Sequence, residues 1–162
     1  QRACELLAAE ALMEMREGRY QPAQELLGQA IALYKARRAQ SMYSASLPCW
    51  FLTALRLGAQ SQSGAERRCR LERANKALKP ALRLAKRYRT NLPHTLREQA
   101  LLLALEGKQQ AAEIALAQSM RIASELSMAA ELEIGQRVTS HWSSCAPPAV
   151  ADGHDWMLVG LS

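Results

Sequence analysis

The chain has 162 residues, 49% of them hydrophobic and 5% aromatic, and a formal net charge of +6. This length and apolar share predict a folded domain with its own core and exclude a disordered chain. The longest apolar runs, residues 47–55 and 100–105, are far shorter than the roughly 20 residues that cross a bilayer, so we expect no membrane span. The many Ala and Leu residues favour packed helices over sheets, since strands prefer β-branched and aromatic side chains.

The first 37 residues predict two amphipathic helices joined by a short turn. Apolar side chains recur every three or four positions over residues 6–17 and again over 23–37, and Glu-Gly-Arg-Tyr at 17–20 forms the turn. Gly18, the small residue Ala30 and the aromatic residue Tyr34 follow one another at the spacing that tetratricopeptide repeats show for a glycine, a small residue and an aromatic residue. The residues of the second helix that we expect to face inward are Ala23, Leu26, Leu27, Ala30, Leu33 and Tyr34.

The middle of the chain predicts two longer helices. The first spans residues 42–58, where Pro48 is tolerated only near the start or at a kink, and a polar loop at 59–65 ends it. The second spans residues 66–89. We expect Pro80 to bend this helix or split it in two, because proline has no amide proton and crowds the preceding turn.

The helix at 66–89 is strongly basic, with ten Lys and Arg residues against two Glu residues. Attraction to an acidic protein partner, an anionic nucleotide-bearing domain or a nucleic acid is one interpretation, and a solvated outer face is another. The cations spread around much of the helix and no aromatic residues alternate with them, which disfavours stacking on bases. The candidate contacts for a partner or an anion are Arg67, Arg68, Arg70, Arg73, Lys76, Arg83, Lys86 and Arg87.

Residues 96–126 predict the clearest helical hairpin. Gly107 separates two amphipathic segments and supplies the positive φ that a helix end commonly needs before a reversal. Thr95 lies three residues before Glu98, the spacing of a capping box, so we expect either Thr95 or His94 to cap the first segment. The residues expected to face the other helices are Leu96, Ala100, Leu103, Ala104, Ala112, Ala115, Leu116, Ser119, Ile122, Ala123 and Leu126.

A seventh helix is predicted over residues 129–140, and the helical pattern stops after His141. One hairpin cannot bury its apolar face alone, so neighbouring hairpins must stack. The predicted fold is all-α, with about seven helices in antiparallel hairpins that stack as a tetratricopeptide-like right-handed solenoid. Residues 1–141 form this domain, and residues 142–162 form an irregular tail that contains Pro147-Pro148.

Side chains that could perform chemistry follow no established motif. We expect the Glu and Arg residues to lie on solvated helix faces or in intrahelical pairs, and we expect no catalytic residue, metal or cofactor. A metal cluster is disfavoured because its spacing fits no ligand motif. Its members would be His141, Cys145, Asp152, His154 and Asp155.

The cysteines and the first residues bear on where the protein works. The four cysteines form no C-x-x-C pair, and unpaired thiols suit a reducing compartment, so we expect a cytoplasmic protein. They are Cys4, Cys49, Cys69 and Cys145. The chain opens with Gln-Arg-Ala-Cys and has no leader-like segment, so we expect it to be part of a longer protein.

Residues 74–141 contain a characteristic succession of segments. These are a basic helix with Ala77-Leu78-Lys79-Pro80-Ala81 and Tyr88, then Leu92-Pro93, a leucine-rich helix to Gly107, an alanine-rich helix, Leu126-Ser127-Met128 and Glu133-Ile134-Gly135-Gln136. This succession resembles the tetratricopeptide-like C-terminal region of large bacterial signalling proteins. Those proteins join a class III adenylate or guanylate cyclase, or a kinase domain, to an AAA-type regulatory ATPase. In that family the last two segments read Leu-Gly-Met and Glu-Leu-Gly-Arg.

The resemblance implies a packing and coupling role and carries over no catalytic or nucleotide-binding residue. The first hypothesis is a non-catalytic scaffold that binds a protein partner or an upstream domain of its own chain and couples it to a cyclase or ATPase. The second is a nucleic-acid or anion-binding module that uses helix 66–89. A steep loss of binding with salt and affinity for nucleic acid would favour the second hypothesis.

Overall fold

The computed structural model describes residues 2–36 and 44–143, and all regular structure in these residues is helical. Seven α-helices and two short 3-10 turns, Ser44–Ser46 and Arg89–Asn91, account for it. The described residues contain no strand, so the predicted all-α class and the number of helices are confirmed for them. The helices are α1 (Arg2–Arg16), α2 (Tyr20–Ala36), α3 (Leu47–Gln60), α4 (Gly64–Arg87), α5 (Leu92–Leu105), α6 (Gln109–Glu125) and α7 (Ala129–Ser143).

The helices pack in chain order. Each one contacts the next along the chain, and in addition α3 packs on α5 and α5 on α7. The core is divided among apolar clusters that each bridge consecutive helices: one joins α1, α2 and α3, a second joins α3, α4 and α5, and a third joins α5, α6 and α7. Helices α3 and α5 therefore contribute to two of these clusters and are enclosed along most of their length.

Three helix ends share one kind of turn. Helices α1, α5 and α6 are followed by Gly18, Gly107 and Ser127, whose φ angles are 74°, 77° and 55°. In each turn the left-handed residue donates its N–H to the carbonyl three residues back, and the next residue donates to the carbonyl five back, as Arg19 does to Glu14 at 2.8 Å. These bonds form a Schellman motif, which satisfies the last carbonyls of a helix. Ser127 holds the position where the resembled family has glycine.

The start of α5 differs from the prediction. The helix begins at Leu92 with Asn91 as its N-cap, so Thr95 lies inside the first turns and neither Thr95 nor His94 caps it. The Thr95 hydroxyl donates to the carbonyl of Asn91 at 2.8 Å. Pro93 explains the earlier start, because proline is well suited to the first helical turn, where its missing amide proton costs no hydrogen bond. The predicted capping box was therefore wrong.

Helix α4 also differs, because it continues through Pro80 without a break. Of the two predicted effects of Pro80, the split is wrong and the bend stays a prediction. Pro80 is exposed, so the carbonyl of Lys76, which loses its usual helical donor, can be reached by water. The predicted polar loop at 59–65 is shorter than expected, since α3 runs to Gln60. Pro48 is the second residue of α3, where proline is tolerated as predicted.

The hairpin of α5 and α6 has the predicted small, buried contact surface. Ala115, Ser119 and Ala123 are buried, and the Ser119 hydroxyl donates to the carbonyl of Pro93 at 2.7 Å. The inward stripe of α2 is confirmed except for Leu33, which is 37% exposed. Leu33 lies at one edge of this inward stripe, so its side chain turns away from the apolar cluster that joins α1, α2 and α3.

Candidate interaction surface

Helix α4 has a narrow buried side and a broad exposed side. Its buried residues are apolar and point toward α3 and α5, so the charged side chains must lie on the rest of the helix surface. The buried residues are Leu71, Ala74, Leu78, Ala81 and Ala85. This arrangement separates the eight predicted contact residues into two groups.

The first group contacts the protein itself. Arg67 donates to the carbonyl of Leu105 at 3.3 Å, and Arg73 donates to the side-chain oxygen of Gln24 at 3.3 Å. Arg70 pairs with Glu66, one helical turn away, at 2.7 Å. These three arginines have partners in the fold, so the prediction that they contact an external partner has no support in their geometry.

The second group forms what we call the basic face of α4. At 100° per residue its members lie within roughly 100° of the helix circumference and extend over about 28 Å. All are exposed, and none of them forms an ion pair with any part of the chain that the structure describes. The Arg87 guanidinium lies over the ring of its neighbour Tyr88. The basic face consists of the five remaining predicted residues and Lys79, which was not among them: Arg68, Lys76, Lys79, Arg83, Lys86 and Arg87.

The interpretation that the cations spread around the helix is therefore correct only for the arginines that bind neighbouring groups. The six cations of the basic face share one side. A single carboxylate, Glu72, lies among them, four residues from both Arg68 and Lys76 and on the same side of the helix. The side-chain amide of Asn75, on α4 beside these cations, donates one hydrogen bond to Glu106. The basic face thus has charge and length but no aromatic ring among its members for stacking on a base.

A second group of charged residues lies in the interior, and we call it the buried charge cluster. It consists of Arg56 on α3, His94, Arg97 and Glu98 on α5, and Glu131 on α7. Arg56 donates to Glu98 at 2.6 Å, and Arg97 donates to Glu131 at 2.6 Å and lies 3.7 Å from Glu98. The side chains of Arg56, Arg97 and Glu98 are at most 5% exposed. The cluster therefore links three helices through a continuous series of opposite charges.

His94 is held in this cluster as a neutral ring. Its Nε2 lies 2.9 Å from the hydroxyl of Thr53, and its ring meets that of Trp50 edge to face. Burial, together with the nearby Arg97, lowers the pKa of His94 to about 3. A histidine with so low a pKa stays neutral near pH 7, far from the pKa that suits a general acid or base there.

The two carboxylates of the cluster respond differently to their surroundings. Burial alone would raise the pKa of Glu98, but Arg56 and Arg97 outweigh it and hold that pKa at about 2. Burial raises the pKa of Glu131 above its usual value, and Arg97 only partly opposes this. Glu98 is therefore the permanently charged centre of the cluster, and its charge matches the structural role of an internal ion pair.

The described cysteines do not form a reactive centre. Cys49 is buried beside the cluster, and burial raises the pKa of its thiol to about 12, so it stays protonated. Cys4 is buried and Cys69 is exposed, and both have free thiols. Cys145, Asp152, His154 and Asp155 of the disfavoured metal cluster lie outside the described residues, as does most of the tail predicted at 142–162.

Sequence reasoning missed the buried charge cluster. The expectation that Glu and Arg lie on solvated faces was wrong for Arg56, Arg97 and Glu98. A usable signal was present: Thr53 and Arg56 stand three residues apart on a helix that is otherwise apolar, and a second polar group occurs on the leucine-rich α5. When two apolar helices each carry a few polar residues, those residues are expected to pair with one another where the helices pack, because buried polar groups need hydrogen-bond partners.

A shallow groove of about 530 Å³ lies between α6 and α7. The described residues that line it are Met120, Gln136, Thr139, Ser140 and Ser143. None of them titrates near neutral pH, so the groove offers no acid, base or strong nucleophile. Among the described residues, no helix combines the length and the apolar character needed to cross a membrane.

No family model, no curated protein and no solved structure matches the chain. Function is therefore inferred from the basic face of α4, the buried charge cluster and the packing order of the helices. Of these, only the basic face is exposed to another molecule.

Proposed function

We propose that this chain is a non-catalytic helical-repeat scaffold that binds a protein partner in the cytoplasm. In this proposal residues 1–141 form a tetratricopeptide-like right-handed solenoid, and the chain is the C-terminal coupling region of a signalling protein with a class III cyclase or kinase domain and an AAA-type ATPase. The packing order supports it, since each helix contacts the next and α3, α5 and α7 contact one another in series. The recurring Schellman turns are also what successive hairpins need.

One observation carries the proposal: the six cations of the basic face form no ion pair with any described residue, whereas the interior charges are paired. The buried charge cluster joins three helices through paired charges, which fits a structural role. The basic face extends along a continuous helix, and Glu72 is the one carboxylate of α4 that lies among its cations. A surface of this kind speeds up and orients the approach of a partner of opposite charge.

The experiment that tests the coupling role starts from the coding sequence that adjoins this segment. We expect it to encode a cyclase or kinase domain together with an AAA-type ATPase. The complete protein is then compared with one that lacks residues 1–162, and the cyclase, kinase and ATPase rates of both are measured. We expect intact chemistry and an altered response to the regulatory partner. An adjoining sequence without any of these domains would contradict the proposed family context.

The experiment that tests the solenoid uses small-angle X-ray scattering of the full chain. Side-by-side hairpins produce an elongated particle, whereas a globular bundle of the same mass gives a radius of gyration of roughly 15 Å. A scattering curve that fits the compact bundle would contradict the stacked arrangement. This measurement does not depend on any partner.

The second candidate function is a nucleic-acid or anion-binding module that uses the basic face. The observation that favours it is the set of six exposed cations on one side of a single helix. It predicts binding to a DNA or RNA duplex whose affinity falls linearly with the logarithm of salt concentration, with a slope close to one per phosphate contacted. Binding to protein through a few ion pairs predicts a shallower dependence.

A further inference from the structure

The charges on the basic face of α4 are not all of one sign. From the start of the helix the exposed row reads Arg68, Glu72, Lys76, Lys79 and Arg83, and it continues with two more cations near the end of the helix. Glu72 lies in line with the cations, one turn from Arg68 and one turn from Lys76. A ligand that matches this row needs several negative charges and one positive charge at a defined position.

We propose that the basic face of α4 binds an acidic helix of a protein partner, with carboxylates along one side and one cation placed opposite Glu72. This inference rests on the proposed scaffold function and names the chemistry of its partner. It commits the surface to a folded peptide segment and not to a uniform polyanion.

The spacing of the row favours a helix as the ligand. Lys76, Lys79 and Arg83 follow one another at intervals of three and four residues, which are about 4.5 to 6 Å along the axis. A second helix lying alongside α4 repeats its own side chains at the same intervals. Its Glu or Asp residues at three- and four-residue steps therefore meet the cations one by one over the whole length of the face.

The sign pattern and the neighbouring groups disfavour a nucleic acid. Every phosphate is negative, so a nucleic-acid backbone laid along the row would bring a phosphate near Glu72. Asn75, the amide nearest the row, already donates to Glu106, and the half-buried Tyr88 lies past the end of α4. The face therefore presents no exposed ring for base stacking.

The test uses the full chain and synthetic helical peptides of about 20 residues, the length that matches the face at 1.5 Å per residue. The reference peptide carries Glu along one side. A series of peptides then moves a single Lys through those Glu positions, and a scrambled peptide of the same composition and a DNA duplex of similar length complete the set. Affinities are measured by fluorescence anisotropy at low and at moderate salt.

We expect the reference peptide to bind more tightly than the scrambled peptide. One position of the single Lys should tighten binding by about threefold to fivefold, the range of an exposed ion pair. In Glu72→Gln that preference should disappear, while the reference peptide should bind as well as before or better. This coupling between one peptide position and Glu72 defines the register of the two helices.

Variants of the chain test the location of the binding face. Lys79→Glu and Arg83→Glu should weaken peptide binding by about fivefold or more each. Lys35→Glu makes the same change in net charge on the exposed end of α2 and should have a much smaller effect. Thermal unfolding of each variant, followed by circular dichroism, verifies that the fold is unchanged.

Three results would overturn the inference. Tighter binding to the duplex than to every peptide, increased further by Glu72→Gln, would assign the face to nucleic acid. Equal losses of peptide affinity in Lys35→Glu and Lys79→Glu would show that the peptide is attracted by the net charge of the chain and not by the basic face. Absence of measurable binding to any peptide at low salt would remove the acidic helix as ligand. In that last case an elongated scattering profile would still support the scaffold, so the two proposals fail separately.

Discussion

Helices α4 and α5 contain similar charged residues in opposite settings. On α4 the basic face leaves six cations in solvent, and on α5 the buried charge cluster encloses Arg97, Glu98 and a neutral histidine between α3 and α7. Exposed ion pairs contribute little to stability, but an interior charge that loses its partner is strongly destabilising. The difference teaches that the basic face is free to bind another molecule, whereas the charges of the buried charge cluster hold α3, α5 and α7 together.

The largest expected effect comes from removing the central carboxylate of the buried charge cluster. Glu98→Gln leaves Arg56 and Arg97 without their shared anion in the interior, and it should lower the free energy of unfolding by about 3 to 5 kcal/mol. The matched variant is Glu72→Gln on the basic face, which should unfold close to wild type. Urea titrations of both variants provide the measurement, and similar midpoints for the two would contradict the contrast between the regions.

A smaller effect is expected where α5 and α6 touch. Ser119→Leu forces bulk between close backbones and leaves the carbonyl of Pro93 without its donor, for a combined loss of about 2 to 4 kcal/mol in the free energy of unfolding. Ala117→Leu on the exposed side of the same helix is the control and should change little. If Ser119→Leu melts at the wild-type temperature, the close contact of the two helices is wrong.

These two pairs also indicate what the sequence could predict. The stripe of Ala115, Ser119 and Ala123 follows from periodicity, because one helix shows on its own which side is apolar. The buried charge cluster could not be derived this way, since Arg56 and Glu98 are 42 residues apart and their burial depends on how α3 and α5 pack. The prediction of where α5 begins failed for a local reason, because Pro93 favours a helix start before the one that the capping pattern at Thr95 predicts.

Acid should weaken the interior and leave the stability contribution of the exposed face unchanged. The pKa of His94 falls from an ordinary 6.5 to about 3 in the fold, so the unfolded chain takes up a proton first. Stability is full above pH 6.5 and declines toward pH 3, by at most about 1.4 kcal/mol per pH unit for one proton.

Glu98, with a pKa lowered to about 2 from 4.5, adds a further loss below pH 4.5, whereas the raised pKa of Glu131 offsets part of it. Urea unfolding at a series of pH values measures the slope. In His94→Gln the stability should no longer fall between pH 6.5 and pH 4.5, because the raised pKa of Glu131 acts there in the opposite direction. A variant that loses stability in this window as the wild type does would show that His94 is not the group that titrates.

The smallest expected effects concern two serines, one in a left-handed turn and one in a helix. Ser127 has a φ of 55°, a conformation that costs a residue with a side chain about 1 kcal/mol or more. Ser127→Gly should therefore stabilise the chain by about 0.5 to 1 kcal/mol, even though glycine also loosens the unfolded state. Ser124→Gly, inside α6, should destabilise it by a similar amount, and the opposite signs can be read from two melting curves.

Helix α3 is closed off on every side over residues 52–59, whereas α1 packs mainly on α2 at one end of the chain. We expect the amide protons of α3 to exchange with deuterium only through global unfolding, whereas those of α1 can exchange when that helix alone unfolds. A protease or a pulling force would thus detach the terminal helices first. We therefore expect the lifetime of the native state to depend on the middle of the chain more than on its terminal helices.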